Sequence, residues 1–157
     1  VEWKATAATS GTFKLGYQST SYADGRLQDL SGLSYAVDMS WQPDTYSSVT
    51  VGATRVTNES AQQDIGGSIN TLYSLGLEQA FTPLTSLNVL YEQDKSDFSG
   101  AQNRTDKRKR FEVGLAHSLQ TWLNISLDYR HVTRDSDDAL FNFSTNVIEL
   151  SISTNFE

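Results

Sequence analysis

The chain is predicted to be all-β, a transmembrane antiparallel up-and-down β-barrel contributing about nine strands. Three observations predict this. Apolar and polar residues alternate with period two in nine segments, each segment is about as long as a tilted strand needs to cross a bilayer, and aromatic residues gather at the segment ends. Residues 1–157 read as a single barrel unit with no internal domain boundary.

The segments fall at residues 1–8, 12–21, 33–42, 47–57, 69–81, 86–94, 110–119, 123–133 and 145–156. In the third, Leu33, Tyr35, Val37, Met39 and Trp41 oppose Ser34, Ala36, Asp38 and Ser40. In the fifth, Tyr73, Leu75, Leu77 and Phe81 oppose Ser74, Gly76 and Glu78. The seventh sets Phe111, Val113 and Leu115 against Glu112, Gly114 and Ala116. The eighth sets Leu123, Ile125, Leu127 and Tyr129 against Asn124, Ser126, Asp128 and Arg130. The ninth sets Ile148, Leu150, Ile152 and Phe156 against Glu149, Ser151, Ser153 and Asn155. Side chains of a strand point alternately to its two faces, so each segment presents one apolar and one polar face.

Connections alternate in length. They are short around Ser10, Pro43 to Tyr46, Thr82 to Thr85 and Leu119 to Trp122, and long and polar across 22–32, 58–68, 95–109 and 134–144. Short turns centred on Ser10, Thr45, Pro83 and Gln120 are spaced by 35, 38 and 37 residues, and Phe156 follows 36 residues after the last, so one hairpin plus one long loop is the repeating unit.

Alternation also suits a soluble β-sandwich, and three features favour the membrane. Strands in soluble sheets average roughly five or six residues, shorter than these segments. Tight turns at one end and long loops at the other are the outer-membrane pattern. Phe13, Trp41, Phe81, Trp122 and Phe156 lie beside short turns or the terminus, while Tyr17, Tyr35, Tyr91, Phe111 and Tyr129 lie nearer the long loops, as two interfacial aromatic girdles require. Unpaired backbone groups in hydrocarbon cost several kcal/mol each, so the sheet is expected to close. Bacterial barrels have even strand numbers, and nine is odd; upstream strands, making this the C-terminal part of a larger barrel, or a second copy are expected to complete closure.

Composition bounds the chemistry. Hydrophobic residues make up 38% and the mean hydropathy is −0.43, with no run of the roughly 18 apolar residues a helical span needs. Cysteine is absent, which removes disulfides and thiolate metal sites. A net charge of −7 and a pI near 4.7 argue against nucleic acid as a partner.

The polar faces place Lys14, Asp38, Glu78, Glu92, Glu112, Asp128, Arg130 and Glu149 on a lumen, six acidic and two basic, because a charge facing lipid at mid-membrane costs roughly 2–4 kcal/mol. Two readings follow: a cation-leaning, water-filled channel whose polar groups hydrogen-bond passing sugars, or a solvated lumen without selectivity. The carboxylates lie on different strands with no pair singled out, so glycosidase chemistry and catalysis in general are not expected. No cofactor or metal site is expected: His117 and His131 lack partners at ligand spacing, and Asp135, Asp137 and Asp138 lack the pattern of a calcium loop. The basic run Arg104, Lys107, Arg108, Lys109 and Arg110 is placed on an external loop, either simply solvated or meeting lipopolysaccharide phosphates or an anionic glycan.

The final segments read LNISLDYRHVTRDSDDALFNFSTNVIELSISTNF, with Tyr129, Arg134, Asp135, Ser136, Phe143, Asn146 and a terminal-strand Phe156. A Trp41-Gln42-Pro43 turn precedes SSVTVGATRVTNES. Together with the hairpin repeat, this resembles the β-barrel porins encoded alongside exopolysaccharide biosynthesis genes, across essentially the whole chain. Asp137 stands where an Asn is expected after Arg-Asp-Ser, and Glu157 follows the Phe that normally ends such chains.

The resemblance implies a bacterial outer-membrane conduit for polysaccharide leaving the cell, with outer-membrane lipid, lipopolysaccharide, the polysaccharide cargo and periplasmic export proteins as partners. A general diffusion porin and a soluble carbohydrate-binding β-sandwich are the alternatives.

Overall fold

The computed structural model describes residues 2–6, 8–21, 30–59, 65–100 and 103–154. These form one antiparallel sheet whose strand order is the sequence order: β1 (Glu2–Thr6), β2 (Thr9–Thr20), β3 (Leu30–Trp41), β4 (Ser47–Glu59), β5 (Ile65–Thr82), β6 (Thr85–Gly100), β7 (Arg104–Gln120), β8 (Leu123–Ser136) and β9 (Phe143–Thr154). A 3-10 turn, Ala139–Phe141, joins the last two strands. All nine predicted segments are strands. Phe156 and Glu157 lie outside the described residues.

Adjacent short turns are tied together by a repeated backbone bond. Gln42 N donates to Ala8 O at 2.7 Å, Ala80 N to Tyr46 O at 2.7 Å and Ser118 N to Leu84 O at 2.8 Å, donors and acceptors each advancing by 38 residues. The hairpin repeat read from turn spacing is therefore a structural period. Register shifts at Ala80/Thr82 and Ser118/Gln120 precede the tight turns at Pro83-Leu84 and Thr121-Trp122, where a bulge sharpens the local twist.

Register sorts the side chains onto two faces. One carries Leu15, Tyr17, Leu33, Tyr73, Leu75, Leu115, Leu127, Ile148, Leu150 and Ile152, all exposed, with Tyr17 at 72% and Ile148 at 74%. No large side chain among the described residues is fully buried, and contacts run between adjacent strands or between β8 and the 3-10 turn. The soluble β-sandwich alternative needs a second sheet against that apolar face, and these strands form only one sheet. Continuous apolar exposure on this scale fits lipid rather than water.

The aromatic bands also give the strand slope. Following register partners from Tyr35 leads through Arg55, Thr71, Lys95 and Lys107 to Asp135. The aromatics on β5, β6, β7 and β8 are Tyr73, Tyr91, Phe111 and Tyr129, displaced from that row by two, four, four and six residues. That is about one residue per strand, some 3.3 Å along for each 4.8 Å across, a slope of roughly 35°. Barrel strands tilt by about 35–45°, and this stagger is what closure demands.

One expectation is corrected. Two of the expected long connections, across 58–68 and 95–109, are largely strand: β4 continues to Glu59 and β5 begins at Ile65, β6 and β7 are separated by residues 101–103, and β5 to β7 run 16 to 18 residues, while most of 22–32 lies outside the described residues. Beyond the aromatic band both strand faces are polar, so the ladder continues where alternation has vanished and the sequence reads as loop.

Candidate functional site

The candidate site is the polar face. All eight residues expected there, Lys14, Asp38, Glu78, Glu92, Glu112, Asp128, Arg130 and Glu149, lie on this one face by register. The chains of partners Thr12, Asp38, Gly52, Ser74, Glu92, Arg110 and Glu78, Asn88, Gly114, Asp128, Glu149 run across the sheet. Small residues hold the face open. A Cβ on Gly114 would meet the side-chain oxygens of Asn88 and Asp128, and one on Gly76 would meet Thr50, so these glycines are the floor over which polar neighbours lie.

Three of the eight are brought together, through a residue that sequence reasoning placed elsewhere. Arg110 donates to Glu112 Oε1 at 2.8 Å and to Glu92 Oε2 at 3.3 Å, and Arg130 Nε lies 3.1 Å from the same Glu112 oxygen. Arg110, Glu112 and Arg130, with Asp128 and Glu149, border a cleft of about 260 Å³. Asp128 and Glu149 are register partners, held by Ser126 at 3.0 Å and Ser151 at 3.5 Å. Lys14, Asp38 and Glu78 stay apart; Asp38 lines a separate cleft of about 430 Å³ with Thr12, Ser40, Thr50 and Ser74.

The basic run was expected in an external loop, and that placement is wrong. Arg104, Lys107, Arg108, Lys109 and Arg110 all lie in β7, hydrogen-bonded between β6 and β8. Arg104, Arg108 and Arg110 point to the polar face and Lys107 and Lys109 to the other. Arg108 meets Asp94 at 3.1 Å. Asp106, only 4% exposed, is gripped by Arg134 and lies 3.1 Å from Arg104 Nε. Burial pushes its carboxyl pKa up, but the Ser136 hydrogen bond and the Arg134 and Arg104 charges outweigh this and hold it below the ordinary 3.8. Arg104 also lies over the rings of Phe98 at 4.6 Å and Phe141 at 4.0 Å, drawing the 3-10 turn onto the same cluster.

The charge balance of the polar face changes accordingly. From β2 to β9 the described residues of this face carry eight carboxylates, Asp38, Glu78, Glu92, Asp94, Asp106, Glu112, Asp128 and Glu149. Against them stand six cations, Lys14, Arg104, Arg108, Arg110, Arg130 and Arg134. Six acids against two bases had been expected, an excess of four carboxylates, and with the added arginines it falls to two. The signal was present in the sequence: Glu92 and Asp94 on β6 and Arg108 and Arg110 on β7 share a parity, which charge pairing across a hairpin would exploit.

Of the residues carrying the family resemblance, Tyr129, Arg134, Ser136, Phe143 and Asn146 lie together across β8, β9 and the turn between them. Tyr129 OH donates to Asn146 Oδ1 at 2.8 Å, His131 Nδ1 lies 2.7 Å from the same oxygen, Arg134 and Phe143 are register partners, and Ser136 N donates to Asn142 Oδ1 at 2.6 Å. Asp137 accepts from Thr105 N and Asp138 from Leu140 N, each at 3.0 Å, which makes them turn-formers. No cluster of three metal-ligating side chains occurs among the described residues.

Comparison with curated proteins and with solved structures returns no match. A family does match, over residues 1–156, and agrees with the single antiparallel sheet, its lipid-suited face and its polar face: the chain belongs to the outer-membrane β-barrel family described as putative beta-barrel porin 2.

Proposed function

We propose that this chain forms part of the wall of an outer-membrane pore through which an exopolysaccharide leaves the cell, acting without catalysis while inner-membrane and periplasmic partners supply energy and cargo. The observation that carries the reading is the division of the sheet: hydroxyls, carboxylates and arginines on one face, exposed Leu, Ile and Tyr on the other. Serines, threonines and paired charges offer a moving sugar chain many weak hydrogen bonds of similar strength, which favours passage over tight retention.

The described strands form an open sheet with β1 and β9 at its edges. In an up-and-down sheet β1 and β9 run in the same direction, so pairing them directly would be parallel. An odd number of further strands between these edges makes every pair antiparallel and leaves no backbone group unpaired in lipid.

Single-channel recording in planar bilayers, with and without the polysaccharide of the source cell, tests the proposal. Transient block or slowed conductance on adding the polysaccharide is expected. A conducting pore that the polysaccharide never blocks or crosses overturns the export reading in favour of a general diffusion porin, the alternative that the near-balanced lumenal charge favours.

A further inference from the structure

Placing the basic run on a strand splits it by chemistry. Arg108 and Arg110 face inward and are neutralised by Asp94, Glu92 and Glu112. The intervening Lys107 and Lys109 face outward and exposed, and neither makes an ion pair or hydrogen bond with a described residue. Arginine suits bidentate carboxylate pairing in a crowded lumen, whereas lysine is a compact ammonium on a long stem that reaches from the edge of an apolar surface.

The neighbours of the two lysines are polar. Lys107 is flanked in register by Lys95 on β6 and Asp135 on β8, and Lys109 by Gln93 and Thr133. Lys95 is bound to Asp97 at 2.8 Å. Asp135 forms no ion pair with Lys107. Asp97 thus answers the Lys95 charge, and the Lys107 and Lys109 ammonium groups are the ones left without a carboxylate among the described residues.

Height selects the anion. Lys109 and Lys107 lie two and four residues beyond Phe111, and Lys95 four beyond Tyr91, so the ammonium groups stand roughly 7–13 Å along the strands past the aromatic band. That is the headgroup layer on the side away from the short turns, which in outer-membrane barrels is the cell exterior.

We propose that Lys107 and Lys109, supported by Lys95, Gln93 and Thr133, bind the phosphate groups of the outer-leaflet glycolipid, lipopolysaccharide. The site rests on the outer-membrane reading of the sheet but not on what passes through the pore. It is local: a chain with net charge −7 repels anions at long range, and among the described residues this outward corner presents the ammonium groups of Lys107 and Lys109, which have no ion-pair partner there, to the headgroup plane.

The test uses protein purified from outer membranes in a neutral, phosphate-free detergent and stripped of lipid. Affinity is measured for purified lipopolysaccharide, for the same material enzymatically dephosphorylated, and for inorganic phosphate. The wild type is expected to prefer the phosphorylated form. K107Q/K109Q is expected to weaken that binding by at least roughly tenfold, the scale of one lost charge-assisted hydrogen bond, while K107R/K109R retains it. Should the double glutamine variant not fold, K107Q and K109Q singly carry the same comparison.

Unchanged binding by a folded glutamine variant, or equal binding of the dephosphorylated glycolipid by the wild type, overturns the proposal. Inorganic phosphate binding as tightly as the glycolipid overturns the lipid assignment. Channel conductance recorded on the same preparations separates failure of this site from failure of the pore reading.

Discussion

Trp41 and Tyr129 lie on one continuous row of register partners, running through Val49, Leu77, Val89 and Val113, although Trp41 adjoins a short turn and Tyr129 belongs to the opposite aromatic band. A row perpendicular to the strands thus crosses the apolar belt from one interface to the other, as tilted strands require.

Depth-dependent fluorescence quenching checks this tilt. In a tryptophan-free background, residue 41 restored as Trp and Tyr129→Trp should both be quenched best by bromine near the headgroups, and Val89→Trp, midway along the same row, best by bromine deep in the acyl chains. Equal depth for all three would mean the row lies parallel to the membrane.

Glu112 accepts from Arg110 and faces Arg130, so Glu112→Gln leaves two guanidinium groups short of a counter-charge. Because all three side chains are partly solvated, the expected loss of stability is about 1 kcal/mol. The reversal potential in a salt gradient should move toward anion preference for Glu112→Gln and toward cation preference for Arg110→Gln. Same-direction shifts would place the ladder outside the conducting path.

The glycines of the polar face are not equivalent. Gly114→Ala drives a methyl into Asn88 and Asp128, which must swing aside, whereas Gly32→Ala enters open space. Urea unfolding should show Gly114→Ala destabilised by about 1 kcal/mol. Gly32→Ala should be neutral or slightly stabilised, since a strand glycine gives up more backbone entropy than alanine.

Asp106 makes the far end of the sheet acid-sensitive. Its pKa is lower folded than unfolded, so its stabilisation is fully present above the ordinary carboxylate range and is lost as pH falls below 3.8 through the folded value. Asp106→Asn should cost about 1–3 kcal/mol near neutral pH, since it leaves Arg104 and Arg134 without their carboxylate. The gap between wild type and variant in urea midpoint should close as pH is lowered from 5 to 2; a constant gap would show that the carboxylate charge plays no part.

Within the apolar belt the fold was legible because lipid on one side and water on the other impose strict alternation. Leu33 to Trp41 and Leu123 to Tyr129 had one facing compatible with their pattern, and the structure has it. The shared face of the eight polar-face residues followed from the same parity. Above the belt both faces meet water, alternation no longer discriminates strand from loop, and Arg104 to Arg110 therefore read as a connection.

By itself the sequence determined the strand number, the hairpin period and the face each belt residue presents, since these depend on local alternation against a two-sided environment. Only the tertiary structure decided that Arg110 stands between Glu92 and Glu112, that Asp106 is enclosed by two arginines, and that Lys107 and Lys109 face outward. Those depend on how far β6, β7 and β8 continue to pair and in what register, which is set by hydrogen bonding between strands rather than by any pattern within one.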